Sequence, residues 1–118
     1  MKRLFVFGCS YTSCNWPTYA DIYAQEFDQY QNWGHAGLGN RAIAERVAEC
    51  HATYEFDKDD TVIVQWSSHL RYDYLNFKHK EPWQTKGSIF SYQNKEVFDD
   101  KWIETFYDEK ALFLHTMN

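Results

Sequence analysis

Apolar residues in this chain form two unbroken runs, and each run ends in a polar turn. Residues 2–7 carry Leu4, Phe5, Val6 and Phe7 and stop at Gly8; residues 61–66 carry Val62, Ile63, Val64 and Trp66 and stop at Ser67 and Ser68. Continuous rather than alternating hydrophobicity marks strands covered on both faces, as in a parallel sheet with helices above and below. Between the runs the spacing becomes helical. After Pro17, a favoured opening residue, Tyr19, Ile22, Tyr23 and Phe27 recur at the period of a helix that packs on one side. After Asn40, a good N-cap, Ile43, Val47, Cys50 and Tyr54 share one face of a second helix. Residues 30–33 separate the two helices and supply the middle strand of the alternation. Strand, helix, strand, helix, strand with short connections predicts right-handed crossovers and an α/β fold, a parallel sheet in three αβα layers.

The alternation stops after Trp66. Residues 67–93 are rich in aromatic, basic and polar side chains with Pro82 and Gly87 as breakers, and are expected to form a long loop or hairpin insertion. Helical spacing returns with Phe98, Trp102, Ile103, Phe106 and Tyr107, and residues 111–117 resemble the opening of a further helix, so 97–118 is expected to be helical. Three strands are fewer than a doubly wound sheet usually has. The sheet is therefore expected to be incomplete towards the C-terminus, its open edge continued by a longer chain or covered by a protein partner or a second copy.

Length and charge narrow the picture. With 118 residues the chain suits one globular domain, and its 5 Trp, 9 Tyr and 9 Phe make an aromatic-heavy core. The net charge of -5 provides no footprint for nucleic acid or for an anionic membrane surface. No apolar run approaches the ~20 residues of a membrane span, and the start lacks the long apolar stretch of a signal peptide. Cys9, Cys14 and Cys50 make an odd count that fits reduced thiols, so a cytoplasmic location is expected.

In an open parallel sheet, ligands bind at the carboxyl ends of the strands. Here those ends lead into Gly8-Cys9-Ser10-Tyr11-Thr12, Asn32-Trp33-Gly34-His35-Ala36-Gly37-Leu38-Gly39-Asn40 and Trp66-Ser67-Ser68-His69-Leu70-Arg71. A serine on a tight turn leaving a strand becomes a nucleophile when a base takes its proton and loop amides hold the oxyanion. The first two loops resemble the first two blocks of the SGNH (GDSL-type) hydrolase superfamily: Phe7-Gly8-Cys9-Ser10 stands where that family has Gly-Asp-Ser, and Asn32-x-Gly34-x-x-Gly37 where it has Asn-x-Gly-x-x-Gly. The short start together with Gln65-Trp66-Ser67-Ser68-x-x-Arg71 looks most like SGNH-type proteins encoded by phages, which implies the cytoplasm of the host cell. The resemblance implies a flavodoxin-like scaffold, Ser10 as nucleophile and the amides of Ser10 and Gly37 as oxyanion donors. It also implies a small ester or an acetylated glycan as substrate, without metal or organic cofactor. The third block lacks the family's glycine and asparagine, so Ser68 or His69 would substitute. Nowhere does the family's Asp-x-x-His occur; Asp108 and His115 stand seven apart.

Each candidate has a plainer reading. Ser10 is also a common turn residue, and Gly34, Gly37 and Gly39 suit turns with positive φ. Asn40 is a helix cap or an oxyanion donor, and His35 a proton acceptor or a loop hydrogen-bonding residue. Cys9 replaces the family's aspartate and, with Tyr11, Ser67, Ser68, His69 and Arg71, is placed on the substrate-binding rim. Arg71 with Asp73 would bind an anionic group or pair internally. The glycines lack the spacing of a dinucleotide or phosphate loop, and Cys9 and Cys14 with His35 or His51 lack zinc-site spacing. Two functions follow: a serine ester hydrolase of SGNH type, shortened and impaired by the missing base, or a non-catalytic binding or assembly module on that scaffold.

Overall fold

In a computed structural model of the chain, the structure describes residues 1–74, 88–90 and 95–117, apart from the side chains of Leu112 and residues 115–117. Three strands, β1 (Arg3–Phe7), β2 (Gln29–Asn32) and β3 (Thr61–Val64), form a parallel sheet in the order β2-β1-β3. Leu4 lies opposite Tyr30 on one side and Thr61 on the other; Val6 lies opposite Asn32 and Ile63. β2, the middle strand in chain order as expected, lies at an edge of the sheet, because the second crossover steps back past β1. This is a mixed α/β fold, and its central strand is the most apolar: Leu4 to Phe7 are buried without exception.

Successive side chains of β1 point to opposite faces. Leu4 and Val6 meet Ala20 of α1 (Tyr19–Tyr23), with Ala24, Phe27, Tyr30 and Ile63 packed around them. The helical stripe read from the sequence is therefore turned the wrong way. Tyr19, Ile22 and Tyr23 are exposed, and the short helix approaches the sheet through Ala20, whose single methyl group permits close contact. On the other face, Phe5 packs against Tyr54 and Phe56 with ring centroids 6.0 and 5.0 Å away, and Phe7 meets Trp33. Helix α2 (Asn40–Tyr54) buries Ile43 and Cys50, and burial pushes the Cys50 thiol up to about 11.

The chain divides into two compact units. The first comprises residues 1–36 and 43–66, the second residues 37–42 and 67–118. In the second, Ile89 and Phe98 are buried among Leu70, Tyr72, Tyr74 and Trp102. Two helices follow, α3 (Asp100–Phe106) and α4 (Glu109–Met117). Each starts on an aspartate: Asp99 accepts the Trp102 N–H at 2.8 Å, and Asp108 accepts those of Lys110 and Ala111. Of the expected insertion, residues 67–74 and 88–90 form turns and irregular chain, while 75–87 and 91–94 lie outside the described residues. Among the described residues no helix is long and apolar enough to cross a membrane.

The amino ends of the strands are joined by charge. Arg3 donates Nε and Nη2 to the two oxygens of Asp60 at 2.8 and 2.7 Å, which ties the start of β1 to the residue before β3. The Lys2 N–H donates to Asp28 beside β2. Arg3 holds the Asp60 carboxyl below the usual aspartate range, and the Thr18 N–H, with the Tyr30 hydroxyl, does the same for Asp21. A carboxylate whose pKa falls on folding stabilises the fold above its unfolded pKa, and that contribution disappears as pH drops through the lower folded value. The urea midpoint is accordingly expected to hold steady from pH 7 to 5 and to fall below about pH 4. Asp60→Asn should lower the midpoint at pH 7 and flatten its acid limb; an acid limb identical to that of the parent would exclude the Arg3–Asp60 pair as its source.

Candidate functional site

At the carboxyl ends of the strands, the loops are joined mainly by neutral hydrogen bonds, with Arg46 Nε donating to the Trp33 carbonyl at 2.7 Å. The Cys9 carbonyl accepts the N–H groups of Thr12 (3.0 Å) and Ser13 (3.1 Å), which closes a tight turn with Ser10 and Tyr11 at its corner. Gly8 is required there because any Cβ would strike the Thr12 side chain. Thr12 is fully buried and bonded on all sides. Its hydroxyl donates to Gln65 Oε1 at 3.1 Å, and its carbonyl accepts Asn32 Nδ2 at 2.7 Å and the Thr18 hydroxyl at 2.6 Å. One residue of the turn thereby joins the exits of all three strands to the start of α1.

The strand ladder also continues past the strands. Trp33 N–H donates to Val6 O (2.7 Å), His35 N–H to Gly8 O (3.0 Å) and Gln65 N–H to Phe7 O (2.9 Å). The Ser10 turn and the His35 loop are thus brought together within the first unit. Ser10 is half-buried, and its hydroxyl has no hydrogen-bond partner among the described residues. Tyr11 is exposed and Cys9 buried. His35 is exposed, with Nδ1 3.0 Å from the Ala36 carbonyl. A carbonyl oxygen only accepts, so Nδ1 is the donor in that bond.

Gly37, Asn40, Ser67, Ser68, His69 and Arg71 belong to the second unit, where Asp73 organises the start of α2. The buried Asp73 carboxylate accepts the Gly39 N–H at 2.8 Å and the Ala42 N–H at 2.9 Å. It therefore fills the capping role expected of Asn40. Asn40 instead bonds the Ser67 backbone on both sides, donating Nδ2 to its carbonyl at 2.9 Å and accepting its N–H at 2.6 Å. Gly39 has no room for a side chain, since a Cβ would run into the Asp73 carboxylate, and Gly37 holds a φ of 87°. The Leu38 carbonyl accepts from the Ser67 hydroxyl (2.8 Å) and from Arg71 Nη1 (2.9 Å). Ser68 is exposed and accepts the Leu70 N–H. His69 Nε2 lies 3.4 Å from the Glu109 carboxylate, and its ring stands edge-on to Phe113 of α4.

Sequence reasoning missed the polar residues that hold these loops. Gln65 interrupts an otherwise apolar run between Val64 and Trp66, and that was the available signal for a buried polar partner. Nothing near Asp73 in the sequence points to Gly39. Among the described residues no three His, Cys, Asp or Glu side chains come together to hold a metal, and the three cysteines are free. No protein-family model matches the chain, and it has no significant match to a curated protein or to a solved structure.

Gly8→Ala is expected to destabilise the fold by about 1–3 kcal/mol through overpacking against Thr12. Asp73→Ala should cost about 0.5–2 kcal/mol through the lost cap. Urea unfolding measures both, with Tyr11→Ala, at an exposed position, as a control expected to stay within about 0.5 kcal/mol of the parent.

Proposed function

We propose that the chain is a serine ester hydrolase of the SGNH type, of the kind phages encode, on a flavodoxin-like scaffold with a three-layer αβα arrangement. One observation carries this reading: Ser10, on a rigid turn at the carboxyl end of a parallel sheet, has a hydroxyl with no partner among the described residues. The His35 loop hydrogen-bonds to Gly8 of the same turn, and Nδ1 of its ring is engaged with the Ala36 carbonyl. In the reaction, Ser10 Oγ attacks the ester carbonyl while His35 Nε2 takes the hydroxyl proton. The Ser10 N–H donates to the developing oxyanion. The C–O bond to the alcohol then breaks, the alcohol leaves with the proton from His35, and water releases the acid from the acyl-enzyme. The chemistry requires no metal or organic cofactor.

A second reading, a non-catalytic binding or assembly module on the same scaffold, is favoured by one apolar surface. Tyr19, Ile22 and Tyr23 are exposed and, with Glu26 and Ile63 of the edge strand β3, line a groove of about 550 Å³. That surface suits a protein partner or a second copy beside β3.

A fluorophosphonate probe separates the two. It is expected to label the parent protein and to leave Ser10→Ala unlabelled, and His35→Gln should slow labelling by about 10²–10⁴-fold. Folded protein that never labels would sink the hydrolase reading in favour of the module.

A further inference from the structure

The two edges of the sheet differ in character. At one edge β2 carries Gln29, Gln31 and Asn32; at the other, β3 and its continuation to Trp66 contain no charged residue and no proline. Lysine, proline and inward-pointing charge are the usual guards of an edge strand, and this edge has none of them. The ladder shows which of its backbone groups are open. Gln65 N–H donates to Phe7 O, so in this parallel pair Thr61, Ile63 and Gln65 turn their N–H and C=O groups towards β1, while Val62 and Val64 turn theirs away. Among the described residues no strand pairs with those outward groups. Ile63 shares the face of Leu4 and Val6, where it lines the groove with the exposed side chains of Tyr19, Ile22 and Tyr23.

We infer that this edge is where two copies of the chain pair, β3 running antiparallel to β3 of the second copy about a two-fold axis at Ile63, so that two three-stranded sheets become one continuous sheet. A two-fold interface must be self-complementary, and this edge is so in hydrogen bonding, apolar surface and charge. Val62 meets Val64 of the second copy, and each exchanges the N–H and C=O groups that β1 leaves unused. Ile63 then stands beside Ile63 of the second copy, with the apolar side chains of Tyr19, Ile22 and Tyr23 brought to the junction from both sides. Asp60, which precedes the strand and is neutralised by Arg3, falls opposite the uncharged Trp66 of the second copy, so like charges do not meet across the pair. A strand from an unrelated chain would gain the same backbone bonds; a second copy also brings, by symmetry, the matching isoleucine and an uncharged carboxyl end. The pairing takes its location from the assembly surface of the second reading and rests on that surface alone, so it holds with or without a reactive Ser10.

Sedimentation equilibrium of the full chain is the test. A dimer is expected at about 100 µM or below, and because each copy carries a net charge of -5 it should tighten as salt is raised. Val62→Pro removes an outward N–H and leaves the ladder to β1 intact, so a folded protein whose dimer is weakened about tenfold or more is expected. Ile63→Lys, which sets like charges side by side at the axis, should do the same. In a Cys14→Ser background, which removes the exposed cysteine, Ile63→Cys should form a disulfide-linked dimer on air oxidation, whereas Thr53→Cys, exposed on α2, should not. That cross-link decides the matter if the proline variant fails to fold. The proposal is overturned by a chain that stays monomeric at 100 µM and high salt, by a dimer that survives both Val62→Pro and Ile63→Lys, or by cross-linking at Thr53→Cys and not at Ile63→Cys. A monomer that the fluorophosphonate leaves unlabelled would overturn the pairing and leave the module reading in place; a dimer labelled at Ser10 would retain the pairing and overturn the module reading.

Discussion

The buried Thr12 sets the geometry of the first unit. A fully buried hydroxyl and carbonyl are tolerated only when each is bonded, since one left unsatisfied costs about 1–3 kcal/mol. Here the partners come from the residue after β3, the end of β2 and the start of α1, as Gln65, Asn32 and Thr18. Each of the three loops therefore shares a hydrogen bond with Thr12. Asn32 extends the network: it also donates to the Tyr30 hydroxyl, which donates to Asp21, and its Oδ1 receives the Gly34 N–H. Burial and the Asp21 carboxylate push the Tyr30 hydroxyl up to about 12, so it remains a donor throughout the ordinary pH range.

This constraint gives Ser10 its character. Thr12 holds the turn through its close approach to Gly8 and its bond to Gln65, and the hydroxyl of Ser10 at the corner has no hydrogen-bond partner among the described residues. Under the proposed hydrolase reading, that hydroxyl becomes a nucleophile only when a base takes its proton. At the other end of the sheet, Arg3 and Asp60 hold β1 to β3.

The second unit uses the same device with a charged hub. Asp73 accepts two N–H groups at the start of α2, where the helix dipole also favours a negative charge. Asn40 and Ser67 bond to each other, and Arg71 holds the Leu38 carbonyl. Several polar residues that a motif-based reading offers to a substrate therefore have internal partners. His69 is likewise turned towards Glu109 and Phe113.

The sequence by itself determined the order of elements and the mixed α/β class, and β1 through its unbroken apolar run; the 61–66 run, expected to be covered on both faces, is instead a partly exposed edge strand with Val62 open to solvent. Of Gly34, Gly37 and Gly39, which the sequence offered as turn glycines with positive φ, only Gly37 adopts it. The sequence left the order of strands across the sheet open and chose the wrong face of α1, since Tyr19, Ile22 and Tyr23 satisfy the helical period as well as Ala20 does, and only packing decides which side meets Leu4 and Val6. The capping of α2 by Asp73 and the locking of Thr12 by Gln65 were decided by tertiary structure alone. Their partners lie 31–34 and 53 residues away along the chain, and a hydrogen bond between distant residues leaves no periodicity in the sequence to find.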